Sequence, residues 1–168
     1  LLQEVRQSLI QSGFQEVLHF GLVSQEMWKR YPQAHKRWGE PVELLNPLRN
    51  DWAALRSTPF FEMMSTVVAN LHQDAKGVSL YEIGNVYSKN QPSKWVLGLA
   101  AAGFAQEKAW STPERPFDIF DLKGTLERLL EHLGITSGWD WEETDEKEPW
   151  QPGLTLSLKA NNTELGSI

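Results

Sequence analysis

Apolar positions change their spacing several times along the chain, and each change marks a new element. Leu2, Val5, Leu9 and Ile10 recur at helical spacing, and Gly13 stands where a C-terminal cap belongs. Phe14 to Val23 reads as a strand whose Phe14, Val17, Leu18, Phe20 and Leu22 point to both faces. Ser24 can cap a short helix through Met27 and Trp28. Tyr31 to Pro41 is polar, contains two prolines and reads as a loop. Val42 to Leu45 is a short strand closed by Asn46-Pro47. Thr58 and Pro59 offer an N-cap followed by proline at the first helical position. Phe60, Phe61, Met64, Val67, Val68 and Leu71 would form the apolar face of that helix.

The second half is richer in strands. Val78 to Tyr87 is dense in β-branched and aromatic residues, and Ser88 to Gln91 break the pattern. Lys94 to Gly103 is mostly apolar with small residues, as in a central strand buried on both faces. Ala105 to Arg115 reads as loop. Asp118 can cap a helix with the stripe Leu122, Leu126, Leu129, Leu130 and Leu133, ending at Gly134. Trp139 and Trp141 alternate with polar residues, a half-exposed strand. Leu154 to Ala160 and Thr163 to Ile168 flank Asn161-Asn162, a two-residue hairpin turn with positive φ. Helices interleaved with strands that are largely antiparallel predict an α+β architecture: a mixed, largely antiparallel sheet flanked by helices.

At 168 residues the chain has the length of one domain, spanning 1–168, and can bury roughly 70% of its unfolded surface. No apolar run approaches the ~20 residues of a membrane span, and no secretory signal opens the chain. It starts Leu1-Leu2 without methionine, as a piece of a longer protein would. The absence of cysteine excludes disulfides and thiolate zinc sites and fits a cytoplasmic protein. A net charge of −6 argues against sequence-independent nucleic-acid binding, which needs a basic surface.

Several segments together resemble one family. Val5 to Val17 is similar to a helix-Gly-Phe-x-Glu-Val opening. Leu44-Leu45-Asn46-Pro47-Leu48 with Leu55-Arg56-Ser57-Thr58 looks like Leu-Asn-Pro-Leu and Leu-Arg-Thr-Ser segments. Leu80 to Tyr87 resembles a Phe-Glu-Ile-Gly strand, and Phe117 to Gly124 a Phe-Phe-Asp-Leu-Lys-Gly helix start. In this order they resemble the core domain of the β subunit of bacterial-type phenylalanyl-tRNA synthetase. That domain looks like a class II synthetase catalytic domain. The last quarter departs from the pattern: Gln151-Pro152-Gly153-Leu154-Thr155 replaces His-Pro-Gly followed by Arg-Ser-Ala. The resemblance implies a domain truncated at its C-terminal end, with metal-binding, editing and anticodon-reading modules elsewhere in the parent subunit. It marks Asn46, Pro47, Arg56, Glu82, Gly84, Asp121, Lys123 and Gly124 as motif residues.

Class II catalytic strands end in Phe-Arg-x-Glu, whose arginine grips phosphate and carboxylate. The matching positions here are Tyr87, Ser88, Lys89 and Asn90. A hydroxyl does not replace a bidentate cation. The resemblance therefore implies a structural domain with no catalytic, cofactor-binding or metal-binding residues of its own. It would pack on the catalytic α subunit, while the whole enzyme uses ATP and magnesium to charge tRNA with phenylalanine. The interface candidates are Leu2, Val5, Leu9, Phe14, Val17 and Phe20, because class II openings form subunit contacts.

Two rival readings follow from the residues. Glu82 and Lys89 could serve a free-standing ligase with an unusual phosphate grip, although Glu82 more simply pairs with Arg56. The basic-aromatic segment 29–38 has the chemistry of RNA stacking, against the plainer reading of a solvated loop with aromatics tucked onto the core. Glu142 to Glu148 is acidic but lacks the ligand spacing of a calcium loop. His19, His35, His72 and His132 are scattered and suggest no metal site.

Overall fold

The computed structural model describes residues 1–30, 34–144, 149–151 and 153–168. Helix α1 spans Leu2–Gln11, and Gly13 beyond it adopts φ 86°, the left-handed turn that a side chain would strain. The expected long strand over 14–23 is broken. Only Gln15–Glu16 (β1) and Leu22–Val23 (β2) are extended, because they pair with different sheets. Helix α2 runs Gln25–Arg30, and the Ser24 hydroxyl accepts from the Met27 N–H. Ala34–Trp38 (α3) is helical where loop was expected. Val42–Glu43 (β3) and Ala54–Leu55 (β4) follow, with a 3-10 turn at Asn50–Trp52.

Helix α4 covers Phe60–His72. Pro59 occupies the cap position, one residue later than expected, and the Thr58 hydroxyl accepts from the Phe60 N–H. Its buried residues are Phe61, Met63 and Val67, so the inner face is turned from Met64 to Met63 and leaves Val68 exposed. Strands Gly77–Val86 (β5) and Lys94–Gln106 (β6) come next. β6 is half-buried along most of its length, not covered on both faces; of its residues only Ala100 counts among the buried core. It also runs past Gly103 into the expected loop. A bulge between Phe104 and Gln106 shifts its register against Arg115–Pro116 (β7). Helix α5 spans Ile119–His132 behind a capping box in which Asp118 and Asp121 each bind the other's backbone N–H. Trp139–Thr144 (β8), Thr155–Ala160 (β9) and Thr163–Ser167 (β10) complete the chain. The turn Asn161-Asn162 has φ of 49° and 62°, the mirror-image turn read from the sequence.

The strands form three sheets, ordered β1-β5-β6-β7, β2-β4-β3 and β10-β9-β8. The pairs β2/β4, β4/β3, β10/β9 and β9/β8 of the two smaller sheets are antiparallel. The chain folds into two compact units. One holds Leu1–Gln15, Lys76–Ser79 and Ala101–Ile168; there α1 packs on α5, and Leu9 and Leu129 are buried. The other holds Glu16–Ala75 and Leu80–Ala100. Its core includes Val23, Ala54, Phe61, Met63, Leu80, Tyr81 and Ile83. In that unit a Cβ on Gly98 would lie 2.5 Å from the Met63 sulfur, so the bare strand backbone is what lets α4 settle on it.

Candidate functional site

By the resemblance, the end of β5 is where a catalytic strand would place its arginine. Here the chain turns. The Tyr87 N–H donates to the Arg56 carbonyl at 2.8 Å and the Lys89 N–H to the Glu40 carbonyl at 3.0 Å. Gln91 N–H closes back on the Ser88 carbonyl at 3.2 Å, and Asn90 sits at φ 61°, a conformation asparagine tolerates. A Cβ on Gly39 would strike the Ser88 hydroxyl, so that side chain is packed against backbone. The Lys89 ammonium faces Glu40 at 3.4 Å near the surface. Neither Ser88 nor Asn90 carries a cation for a phosphate.

Below this turn, within the same unit, lies a buried polar cluster. Glu82 is 0% exposed and Arg56 3%. The Arg56 Nη1 stands 2.7 Å from Glu82 Oε1, an ion-pair contact by distance whose angle is poor for a hydrogen bond. Arg56 Nε donates at 3.4 Å to the Asn85 carbonyl. The other Glu82 oxygen accepts from His19 Nδ1 at 2.8 Å, which places the proton of the neutral ring on that nitrogen. His19 Nε2 then meets the Thr66 hydroxyl of α4 at 2.8 Å. The cluster thus ties β4, β5, α4 and the segment between β1 and β2. A Cβ on Gly84 would collide with the Arg56 guanidinium, so glycine is there to let the arginine lie on the strand. Beside it, burial pushes the Glu62 carboxyl up to about 7; Glu82 adds to the rise, while its own backbone and Arg56 oppose it.

Arg56, Glu82 and Gly84 are therefore brought together. Asn46 and Pro47 lie in an exposed turn. In the other unit, Asp121 accepts both guanidinium nitrogens of Arg115 at 2.7 and 2.8 Å. Lys123 approaches Glu127 at 3.8 Å, and a Cβ on Gly124 would meet open space. His19, Thr66 and Glu62 were missed by sequence reasoning. Their signals were faint: one imidazole inside an apolar stretch, and one carboxylate between Phe61 and Met63.

The interface candidates divide. Leu9 and Phe14 are core residues at 0% and 5% exposure, so they are not available to a partner. Helix geometry alone could not say which side of a short apolar helix α5 would cover. Leu2 is exposed, Val5 and Val17 are half-buried, and Phe20 is 72% exposed. Phe20 packs at 5.3 Å against Trp52 with the rings tilted by 43°, and the Arg49 guanidinium lies over Trp52 at 4.8 Å. The same unit exposes Leu18, Leu45 and Leu48. In the basic-aromatic segment Trp38 is tucked onto the core, as the plainer reading has it: it packs on Phe60 at 5.5 Å and on Phe61 at 6.0 Å. Tyr31, Pro32 and Gln33 lie outside the described residues, as does most of the acidic run, 145–148. Among the described residues no helix is long and apolar enough to cross a membrane, and no group of acidic and histidine side chains is placed to hold a metal ion.

The fold is that of class II aminoacyl-tRNA synthetases. Two solved structures of pyrrolysyl-tRNA synthetase from Desulfitobacterium hafniense superpose with TM-scores of 0.67 and 0.69. They cover 99% and 97% of this chain and 54% and 55% of those chains, at 15% and 16% identity. The chain belongs to the family described as the phenylalanyl tRNA synthetase beta chain CLM domain, whose model matches residues 1–168. Among curated relatives, the phenylalanine–tRNA ligase beta subunit of Dehalococcoides mccartyi is 31% identical over 93% of this chain and 19% of its own length. Those of Bacillus licheniformis and Syntrophotalea carbinolica are 28% and 25% identical, each over 99% of this chain and 21% of their own length. The chain thus spans about a fifth of the length of the curated relatives it matches.

Proposed function

We propose that this chain is a non-catalytic platform within a phenylalanine–tRNA ligase β subunit. It packs on the catalytic α subunit and supports ATP- and magnesium-dependent charging of tRNA in the cytoplasm, in an assembly of two α and two β chains. The observation that carries the reading is the end of β5. The positions of the phosphate-gripping pair hold Ser88 and Asn90, and the guanidinium beneath them, Arg56, is buried against Glu82. Phosphoryl and acyl-phosphate chemistry depends on placed positive charge; neither gripping position carries one, and the cation of this turn, Lys89, is faced by Glu40 at 3.4 Å. The domain itself is read as holding no cofactor and as leaving tRNA to other parts of the enzyme.

For docking, each unit separately exposes apolar side chains that suit a protein partner better than water: Leu2 and Ile10 on α1 in one, Leu18 and Phe20 in the other. The test is co-expression of the full β subunit with α. Phe20→Glu is expected to stay folded, because the side chain is already in solvent, yet to reduce recovery of α. Normal assembly of both Phe20→Glu and Ile10→Glu would sink the docking assignment. A free-standing ligase is tested separately by pyrophosphate exchange with the chain alone, expected at background.

A further inference from the structure

Glu62 is a carboxylate that nothing in the proposed function uses. Its Oε2 is buried and has no hydrogen-bond partner among the described residues. It sits four residues before Thr66 on α4, hence on the same helix face. Thr66 is the residue through which α4 touches His19, and His19 in turn holds Glu82. Glu62 therefore lies on the face of α4 that carries Thr66 to His19. The groups that bear on it are Arg56, just after β4, and Glu82, on β5. His19, between β1 and β2, lies one hydrogen bond further away.

The cluster has one guanidinium and two carboxyls. With Glu62 neutral, Arg56 and Glu82 balance and the buried charge closes. With Glu62 ionised, a second, largely buried anion shares one cation, and an unpaired buried charge is costly. We propose that Glu62 is a proton-controlled brace: neutral, it lets α4 stay closed over the Arg56–Glu82 pair; ionised, it competes for the guanidinium and loosens that contact. The sign follows from the direction of the shift. The folded carboxyl holds its proton up to about 7, against 4.5 when unfolded, so the closed state loses stability as pH rises between those values and loses no more above them. His19 is satisfied in either protonation state, because the Thr66 hydroxyl can donate to the ring nitrogen or accept from it.

The test is hydrogen–deuterium exchange of the full β subunit in complex with α, corrected for the intrinsic pH dependence of exchange. Peptides covering 54–58, 60–66 and 80–86 should open more readily in the wild type by roughly ten-fold between pH 6 and pH 8. Glu62→Gln should abolish that dependence, and Glu62→Met, which needs no hydrogen bond, should do the same if glutamine disturbs the packing. Infrared spectra of wild type minus Glu62→Gln should show a protonated carboxyl that titrates over the same range. A wild type that is flat with pH, or one that Glu62→Gln follows in parallel, would overturn the proposal. So would a dependence that survives Glu62→Gln and vanishes in His19→Gln, since the device would then be the imidazole.

Discussion

The Arg56 guanidinium stands 2.7 Å from the Glu82 carboxylate at a depth where neither side chain is more than 4% exposed. Such a pair is weak evidence of net stabilisation, because removing two charges from water offsets most of their attraction. Breaking it is another matter. Arg56→Ala leaves Glu82 buried with His19, through its ring and backbone N–H, as the remaining partner among the described residues, and should cost about 3–5 kcal/mol. Thermal unfolding of the chain measures this. A loss below about 0.5 kcal/mol, the usual surface value, would mean that the arginine is not buried in solution. Replacing both partners with apolar residues, Arg56→Met with Glu82→Leu, should cost less than the two single changes combined.

The two motif glycines should respond in opposite directions. At Gly84 an added methyl meets a guanidinium that is pinned at both ends and cannot swing aside. Gly84→Ala should destabilise by roughly 1–3 kcal/mol. At Gly124, inside α5, the same methyl finds open space. Gly124→Ala should stabilise the isolated chain by about 0.4–1 kcal/mol. A stability loss there would show that something closes on that helix face.

Acid should weaken the start of α5. Hydrogen bonding to Arg115 holds the Asp121 carboxyl below its ordinary value of 3.8. A depressed acid stabilises above the unfolded value and loses that contribution as pH falls below it. Asp121→Asn should flatten this part of the acid limb of a stability–pH curve. Asp118→Ala removes the acceptor for the Phe120 and Asp121 N–H groups and should cost about 0.5–2 kcal/mol at neutral pH.

Ser88→Arg should not create adenylation activity. One cation placed in the turn 87–91 has no shell to hold it at a phosphate, and Asn90 is committed to a positive-φ turn. Pyrophosphate exchange above background in this variant would show that the missing arginine alone keeps the domain silent.

Much of the architecture was legible from local pattern, where the physics is local. The Asn161-Asn162 turn, the Asp118 cap of α5, the strand over 77–86 and the glycine behind α1 each follow from backbone preferences of a few neighbouring residues. The motifs carried the family for the same reason, as short runs whose order survives in the chain. The pairing of Arg56 with Glu82 was readable too, since two charges in apolar strands need each other. Tertiary structure alone decided the rest. Whether 14–23 is one strand or two short ones depends on which sheets its ends find. Which side of α1 and α4 is buried depends on the elements that cover them, so Leu9 and Met63 went inward while Val68 stayed out. His19 comes from the segment between β1 and β2 and Glu62 and Thr66 from α4, and their meeting around one buried pair is set by packing between elements distant along the chain. No local propensity encodes a hydrogen bond across 63 residues, as from His19 to Glu82.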